Sequence, residues 1–109
     1  MFHRDIRWPN VILSSNDFTN WFLIDWDDAS TLPTRAATHL DPYSHPPAVF
    51  VDNHRGEVDV WGVGKLILDA SVPDISDTMM ASVRGMVEGQ IKTASEALAH
   101  IRASIAAVR

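Results

Sequence analysis

Apolar and polar positions follow three different rhythms along this chain, and each predicts a different kind of element. Val11-Ile12-Leu13 and Trp21-Phe22-Leu23-Ile24 are short β-branched or aromatic runs on either side of the polar stretch from Ser14 to Asn20, which predicts a β-hairpin. From Asp25 to Arg55 the rhythm breaks. Pro33, Pro42, Pro46 and Pro47 stand there among Ser, Thr, Asp and His residues, as in an irregular surface segment without regular elements. Loops of that length inside small domains are more often functional or mobile than idle. Val58 to Leu68 is then apolar nearly all round, the mark of a helix buried on most sides. Gly62 and Gly64 each weaken that helix by about 1 kcal/mol. Past Pro73, the residues Met79, Val83, Met86 and Val87 recur at helical spacing, and so do Leu98, Ile101, Ile105 and Val108. These predict two amphipathic closing helices, with Gly89 as the stop between them and Thr93 or Ser95 as the second start. The fold class is therefore mainly α with a small β-hairpin.

A length of 109 residues and a hydrophobic fraction of 46% suit one domain with a single core. Nine Lys and Arg residues are scattered through a chain of net charge −5, which argues against nucleic acid as a main partner. No apolar run reaches the roughly 18 to 20 residues of a membrane span, and Met1-Phe2-His3-Arg4-Asp5 carries no secretory core. A soluble, intracellular, cytoplasmic chain without a membrane partner is expected. The absence of cysteine excludes disulfides and thiolate metal sites and suits a reducing compartment. His39, His45, His54 and His100 lack a helical metal spacing such as H-E-x-x-H and read as surface or loop residues. Trp8, Trp21, Trp26 and Trp61 read as core or hairpin packing, and Met79, Met80 and Met86 as fillers of core gaps.

The hairpin carries the candidate chemistry. In an antiparallel pair the residue before the first strand lies beside the residue after the second. With Val11 paired to Ile24, these residues are Asn10 and Asp25, and their amide oxygen and carboxylate come within reach of a common cation. Oxygen ligands of this kind suit magnesium, which takes one or two carboxylates and completes its shell with water and phosphate oxygens. Asp5 precedes Asn10 in a loop stiffened by Pro9, so a second carboxylate faces the same mouth, as a base or to orient a hydroxyl. Phosphoryl transfer requires this combination, because the protein mainly positions a nucleophile and neutralises charge through the metal.

His3-Arg4-Asp5-Ile6-Arg7-Trp8-Pro9-Asn10 resembles the catalytic loop H-R-D-L-x-x-x-N of protein kinases, and Asp25-Trp26-Asp27 resembles a variant of their D-F-G. Asp59-Val60-Trp61-Gly62-Val63-Gly64 is similar to the D-x-W-x-x-G opening of the kinases' central F helix, and Lys92 to Ile101 is similar to their closing helix. The stretch from Leu23 to Ala29 resembles fungal-type protein kinase domains most, and aminoglycoside and choline phosphotransferases as well. The Asp59 motif favours the protein-kinase side.

This resemblance implies the C-terminal lobe of the protein-kinase-like (α+β) fold as one domain over 1–109. The catalytic loop and hairpin would fill 1–25, an activation-segment-like loop 26–56, and a helical part 57–109. It implies Asp5 as catalytic base, and Asn10 and Asp25 as ligands of the Mg2+ that accompanies ATP. Arg7 would touch the transferred phosphate with the positive charge that many kinases supply from lysine. His3 would pack against Trp26. Arg4 would receive a phosphorylated residue of the loop, with Thr31, Thr34 and Thr38 as open candidates. The Asp59 carboxylate would accept hydrogen bonds from catalytic-loop amides, with Trp61 as structural support in the same helix.

Departures from the family bear on activity. The chain starts just ahead of the catalytic-loop motif, without a glycine-rich loop, a β3 lysine, a C-helix glutamate or the helix that flanks the F helix. Asp27 replaces the glycine of D-F-G, and His45-Pro46-Pro47, the stretch nearest to A-P-E, lacks its glutamate. Leu68 to Asp77 leaves little room for a G helix. Two functions are expected. One is a truncated protein-kinase-like phosphotransferase of the Ser/Thr type, inactive alone, whose partners are a protein substrate or a missing N-lobe. The other is a non-catalytic pseudokinase-type module that self-associates or binds a protein through an exposed apolar face, the uncovered face of the F helix.

Overall fold

Helix α1 (Glu57–Ala70) organises the protein because both of its sides are apolar. Val58 and Val60 stand two residues apart and so face different ways on a helix, yet both are buried. In the computed structural model, which describes residues 1–17 and 19–107, each side has its own cover. Val60 packs with Met86, Ile91 and Ala97, supported by Val63 and Ile101. Val58 packs with Ala37 and Val49 of the long loop, supported by Leu40, Ala48 and Phe50. Among the described residues the chain is mainly helical, with three helices and one two-stranded antiparallel hairpin.

Helix α2 (Asp77–Glu88) lies against α1, and α3 (Ala94–Ala107) lies against α2. Local chemistry sets their ends. The Ser76 hydroxyl accepts the Met79 N–H at 3.1 Å, an N-cap that offsets one orphan donor. Gly89 closes α2 at φ 89°, in the left-handed region where glycine carries no Cβ penalty. Of the two candidate starts for α3, Thr93 is the cap: its Oγ1 accepts the Glu96 N–H and donates to the Glu96 carboxylate.

The inner face of α3 differs from the expected stripe. Ala97 and Ser104 are buried and Ile101 is half-buried, whereas Leu98 and Ile105 are exposed. Val108 lies outside the described residues. The physical reason is close approach: the Ser82 and Ser104 hydroxyls meet at 3.2 Å between α2 and α3, each also bonded to its own helix at Thr78 O and His100 O. Small residues therefore take the seam and the larger apolar ones are left outside. No helix among the described residues is long and apolar enough to cross a membrane.

Strands β1 (Val11–Leu13) and β2 (Trp21–Leu23) pair as Val11 with Leu23, Ile12 with Phe22 and Leu13 with Trp21. The register is one residue off the expected Val11–Ile24 pairing; Ile24 N–H instead donates to Asn10 O at 2.8 Å. Trp8, Trp21 and Trp26 remain roughly half exposed, so of the two expected roles, core or hairpin packing, these three take the one at the hairpin. Trp8 and Trp21 meet edge to face at 6.5 Å, and the Trp8 indole N–H donates to Leu66 O of α1 at 3.0 Å.

The long loop between β2 and α1 contains one short 3₁₀ turn, Pro47–Phe50, and is otherwise irregular. It is nonetheless no loose surface segment. Thr34, Ala37, His45, Val49 and His54 are buried along it, and Phe2 and Ser30 exchange backbone hydrogen bonds at 2.8 and 2.9 Å that tie its start to the N-terminus.

The glycines of α1 mark close approaches. A Cβ on Gly62 would lie 2.8 Å from Ile6 Cβ and 3.0 Å from Ile6 O, and one on Gly64 would lie 3.0 Å from Val87 Cγ1. Gly62→Ala adds up to about 1 kcal/mol of helix propensity, yet it drives a methyl into the loop that bears Asp5. A net loss of about 1–3 kcal/mol is expected from that overpacking, read as a lower urea midpoint. An unchanged or higher midpoint would mean that the loop yields at Ile6 without cost.

Candidate functional site

The loop from His3 to Asn10 hangs on one carboxylate. Asp59 stands in the first turn of α1, where the helix N-terminus favours negative charge. Its Oδ2 and Oδ1 accept the backbone N–H groups of His3 and Arg4 at 2.9 and 2.8 Å. Charge-assisted bonds of this kind are about twice as strong as neutral ones. They hold Arg4 at φ 71°, a left-handed conformation that costs a non-glycine residue about 1–2 kcal/mol. The Arg4 side chain adds further ties, donating from Nε to Asp28 O at 2.6 Å and from Nη1 to Arg35 O at 3.1 Å.

His3 connects this loop to the hairpin. Its ring is fully buried, with Nε2 at 2.8 Å from Ile24 O and Nδ1 accepting the Asp5 N–H at 3.1 Å. Two such partners select the Nε2–H tautomer. The His3 ring meets Trp26 edge-on, with centroids 4.6 Å apart, and the Trp26 indole N–H donates back to Leu23 O.

Asp5 is held at both oxygens. The Asn10 amide Nδ2 donates to Asp5 Oδ2 at 3.1 Å and to Asp5 O at 2.8 Å. His45 Nε2 lies 2.7 Å from Asp5 Oδ1, across 40 residues of chain, and the Asp5 side chain keeps only 13% of its surface exposed. The His45 ring is itself buried, and its Nδ1 lies 2.8 Å from Asp41 O.

The turn that presents His45 is organised by Asp41, whose carboxylate accepts the N–H groups of Tyr43 and Ser44 and the Ser44 hydroxyl. The Ser44 hydroxyl, and then the Ser44 amide, hold the Asp41 carboxyl below the usual carboxylate range against the opposing effect of burial; the Tyr43 amide and His45 lower it further. The ionised form that makes these bonds is thus favoured in the folded chain. Its contribution is present above the ordinary carboxylate range and is lost as pH falls through the lowered value. Arg7 Nη1 stands 3.9 Å from the same carboxylate.

At the hairpin mouth the backbone bond from Ile24 to Asn10 puts Asp25 one residue beyond Asn10's partner. Asp25 is exposed at φ 60°, and among the described residues its carboxylate makes no hydrogen bond or ion pair. The Asn10 amide nitrogen is committed to Asp5, and among the described residues its side-chain oxygen makes no hydrogen bond. Among the described residues, no group of three or more His, Cys, Asp or Glu side chains surrounds one point as a metal site. Trp61, half-buried and two residues on from Asp59, lines a shallow cavity with Pro46, Pro47 and Met86.

The structure sharpens three expectations about the long loop. His45 and His54, expected as surface or loop residues, are in the loop but buried, because the loop folds back on the Asp5 segment and on Arg4, whose Nη1 lies 3.5 Å from His54 Nε2. Thr34 is not open to modification: it is buried, and its hydroxyl donates to His54 O. Thr31 and Thr38 remain exposed. Spacing gave no sign of His45, which pairs with a residue far away in sequence.

No family model matches the chain, and no solved structure matches it. A curated relative, Crinkler effector protein 8 of Phytophthora infestans, is 39% identical over 74 residues, 64% of this chain. The chain spans 12% of that relative's length.

Removing the anchor gives a graded outcome. Asp59→Asn keeps one acceptor for the two amides and Asp59→Ala keeps none, so Ala is expected to be the worse variant, by about 1.5–3 kcal/mol for each charged hydrogen bond lost. Chemical denaturation measures the loss, and amide exchange of His3 and Arg4 should quicken in the same order. Equal stability of wild type and Asp59→Ala would remove Asp59 from this role.

Proposed function

We propose that this chain is the C-terminal lobe of a protein-kinase-like fold that retains the catalytic-loop and magnesium-binding residues of an ATP-dependent phosphotransferase. The observation that carries the reading is the double hydrogen bond from the His3 and Arg4 amides to Asp59, the contact that the resemblance implies for this carboxylate. The His3–Trp26 contact and the Asn10–Asp5 bond support it as well. So does the strained Arg4 backbone next to Asp5, since strain of this kind gathers at functional sites.

In this reading Asp5, whose two oxygens are held by Asn10 and His45, accepts the proton of an acceptor hydroxyl. Arg7 offsets charge on the transferred phosphate. The donor set fits magnesium, with a carboxylate at Asp25 and an amide oxygen at Asn10, the rest of the shell falling to water and phosphate oxygens. When bound, the metal would neutralise charge on the phosphates. Asp27, placed where the family has glycine, adds a carboxylate beside that position. The relative's name includes the word effector, and we place the phosphotransferase lobe as one module within proteins of that kind.

An expected outcome tests this reading. ATP with magnesium should raise the melting temperature of the wild-type chain, corresponding to about 1.4 kcal/mol at ten times Kd, while Asp25→Asn should respond less. Identical flat responses in both remove the nucleotide role.

A second reading is favoured by a separate observation. Ile12, Phe22 and Ile24 line one face of the hairpin by strand alternation, and all three are exposed, as are Trp21 and Trp26. A two-stranded hairpin is marginal unless something packs on it. The chain would then be a non-catalytic pseudokinase-type module that uses this surface to self-associate or to bind a protein. Sedimentation of the 12.1 kDa chain should give a larger assembly, and Phe22→Ser should return it to monomer. A compact wild-type monomer counts against self-association.

A further inference from the structure

Resting on the phosphotransferase reading, we propose that His45 is a positioning residue for the Asp5 carboxylate, delivered to the site by the Asp41–His45 turn of the long loop. Nothing in the family resemblance or in residue spacing assigns a role to this histidine.

Three observations point to it. First, the contact is short and buried: His45 Nε2 is 2.7 Å from Asp5 Oδ1, and the His45 side chain is only 3% exposed. Second, it completes a two-sided grip. Asn10 holds Oδ2, so the carboxylate cannot rotate about its Cβ–Cγ bond without breaking a bond at one oxygen. Third, the ring is aimed by its own supports. Nδ1 lies 2.8 Å from Asp41 O and 3.2 Å from the Ser44 hydroxyl, while Asp41 caps the turn through the Tyr43 and Ser44 amides. The charged and titratable groups facing the ring are thus Asp5 and Asp41, with Arg7 on the far side of Asp41.

A base must hold its accepting oxygen to within a few tenths of an ångström, and a displacement of about 1 Å can cost on the order of a hundredfold in rate. Asn10 comes from the same loop as Asp5 and moves with it. His45 comes from a different part of the chain and refers Asp5 to the core around Val49. An acceptor hydroxyl must therefore approach through the small sector of Asp5 that His45 and Asn10 leave uncovered.

Nuclear magnetic resonance on the 109-residue chain tests this without requiring turnover. Asp5→Asn should shift the His45 Nε2 resonance and leave those of His39 and His100 in place. His45→Phe should turn the single Asp5 side-chain rotamer into an average of several. His45→Gln, which keeps an N–H donor, should restore one rotamer, a rescue that loop packing alone does not predict. Magnesium titrated as the chloride should bind wild type and His45→Gln alike, because its proposed ligands are Asn10 and Asp25. An unmoved His45 resonance in Asp5→Asn, or an Asp5 rotamer unaffected by His45→Phe, overturns the proposal. Should His45→Phe fail to fold, Asp5→Asn and His45→Gln decide it. Absence of magnesium binding in every variant counts against the phosphotransferase reading and leaves the His45 result to stand or fall on the resonances.

Discussion

One carboxylate fixes the geometry of this protein. Asp59 receives two backbone N–H groups from a loop more than fifty residues away in sequence, and a chain of further contacts depends on that anchor. With His3 held, its ring reaches Ile24 O and Trp26 and so locates the hairpin. With Arg4 held, its guanidinium reaches Asp28 and Arg35 and so locates the start of the long loop. The helix contributes twice: its N-terminal dipole favours the Asp59 charge, and Gly62, one turn on, lets the loop lie against it at Ile6.

The long loop is a structural layer made of polar contacts as much as apolar ones. Ala37 and Val49 cover one side of α1, while Thr34, His45 and His54 are buried with hydrogen-bonded side chains. Among the described residues no buried side-chain nitrogen or oxygen lacks a partner. Buried polar groups without partners would each cost about 1–3 kcal/mol, so a loop lacking strands and helices needs this degree of satisfaction to be stable. Because His45 sits on Asp5, the order of the loop and the order of the candidate site are one property.

The hairpin stands apart from this. It is tied down at its base by His3, Asn10 and Trp26, while its outer face and both tryptophan edges remain open. Under the proposed phosphotransferase reading this is where a nucleotide and a further lobe would lie; under the module reading it is the docking surface. The α3 helix shows a similar imbalance on a smaller scale, with Ser104 and Ala97 inward and Leu98 and Ile105 outward.

The sequence by itself determined the elements whose signals are local. A run apolar nearly all round located α1, hydrophobic periodicity located α2, Gly89 located a helix end, and two apolar runs located the hairpin. Motif resemblance pointed to Asp59 and to the His3–Trp26 pair, and the amide bonds to Asp59 and the edge-on ring contact are present in the fold. Tertiary structure alone decided the hairpin register, the inward face of α3 and the burial of His45, Thr34 and His54. These outcomes depend on which surfaces approach each other most closely: Ser82 against Ser104, or the 41–45 turn against Asp5. A pairing across 40 residues leaves no periodic trace, because periodicity records how a residue relates to its own helix or strand, and a long-range hydrogen bond needs only that two distant surfaces meet.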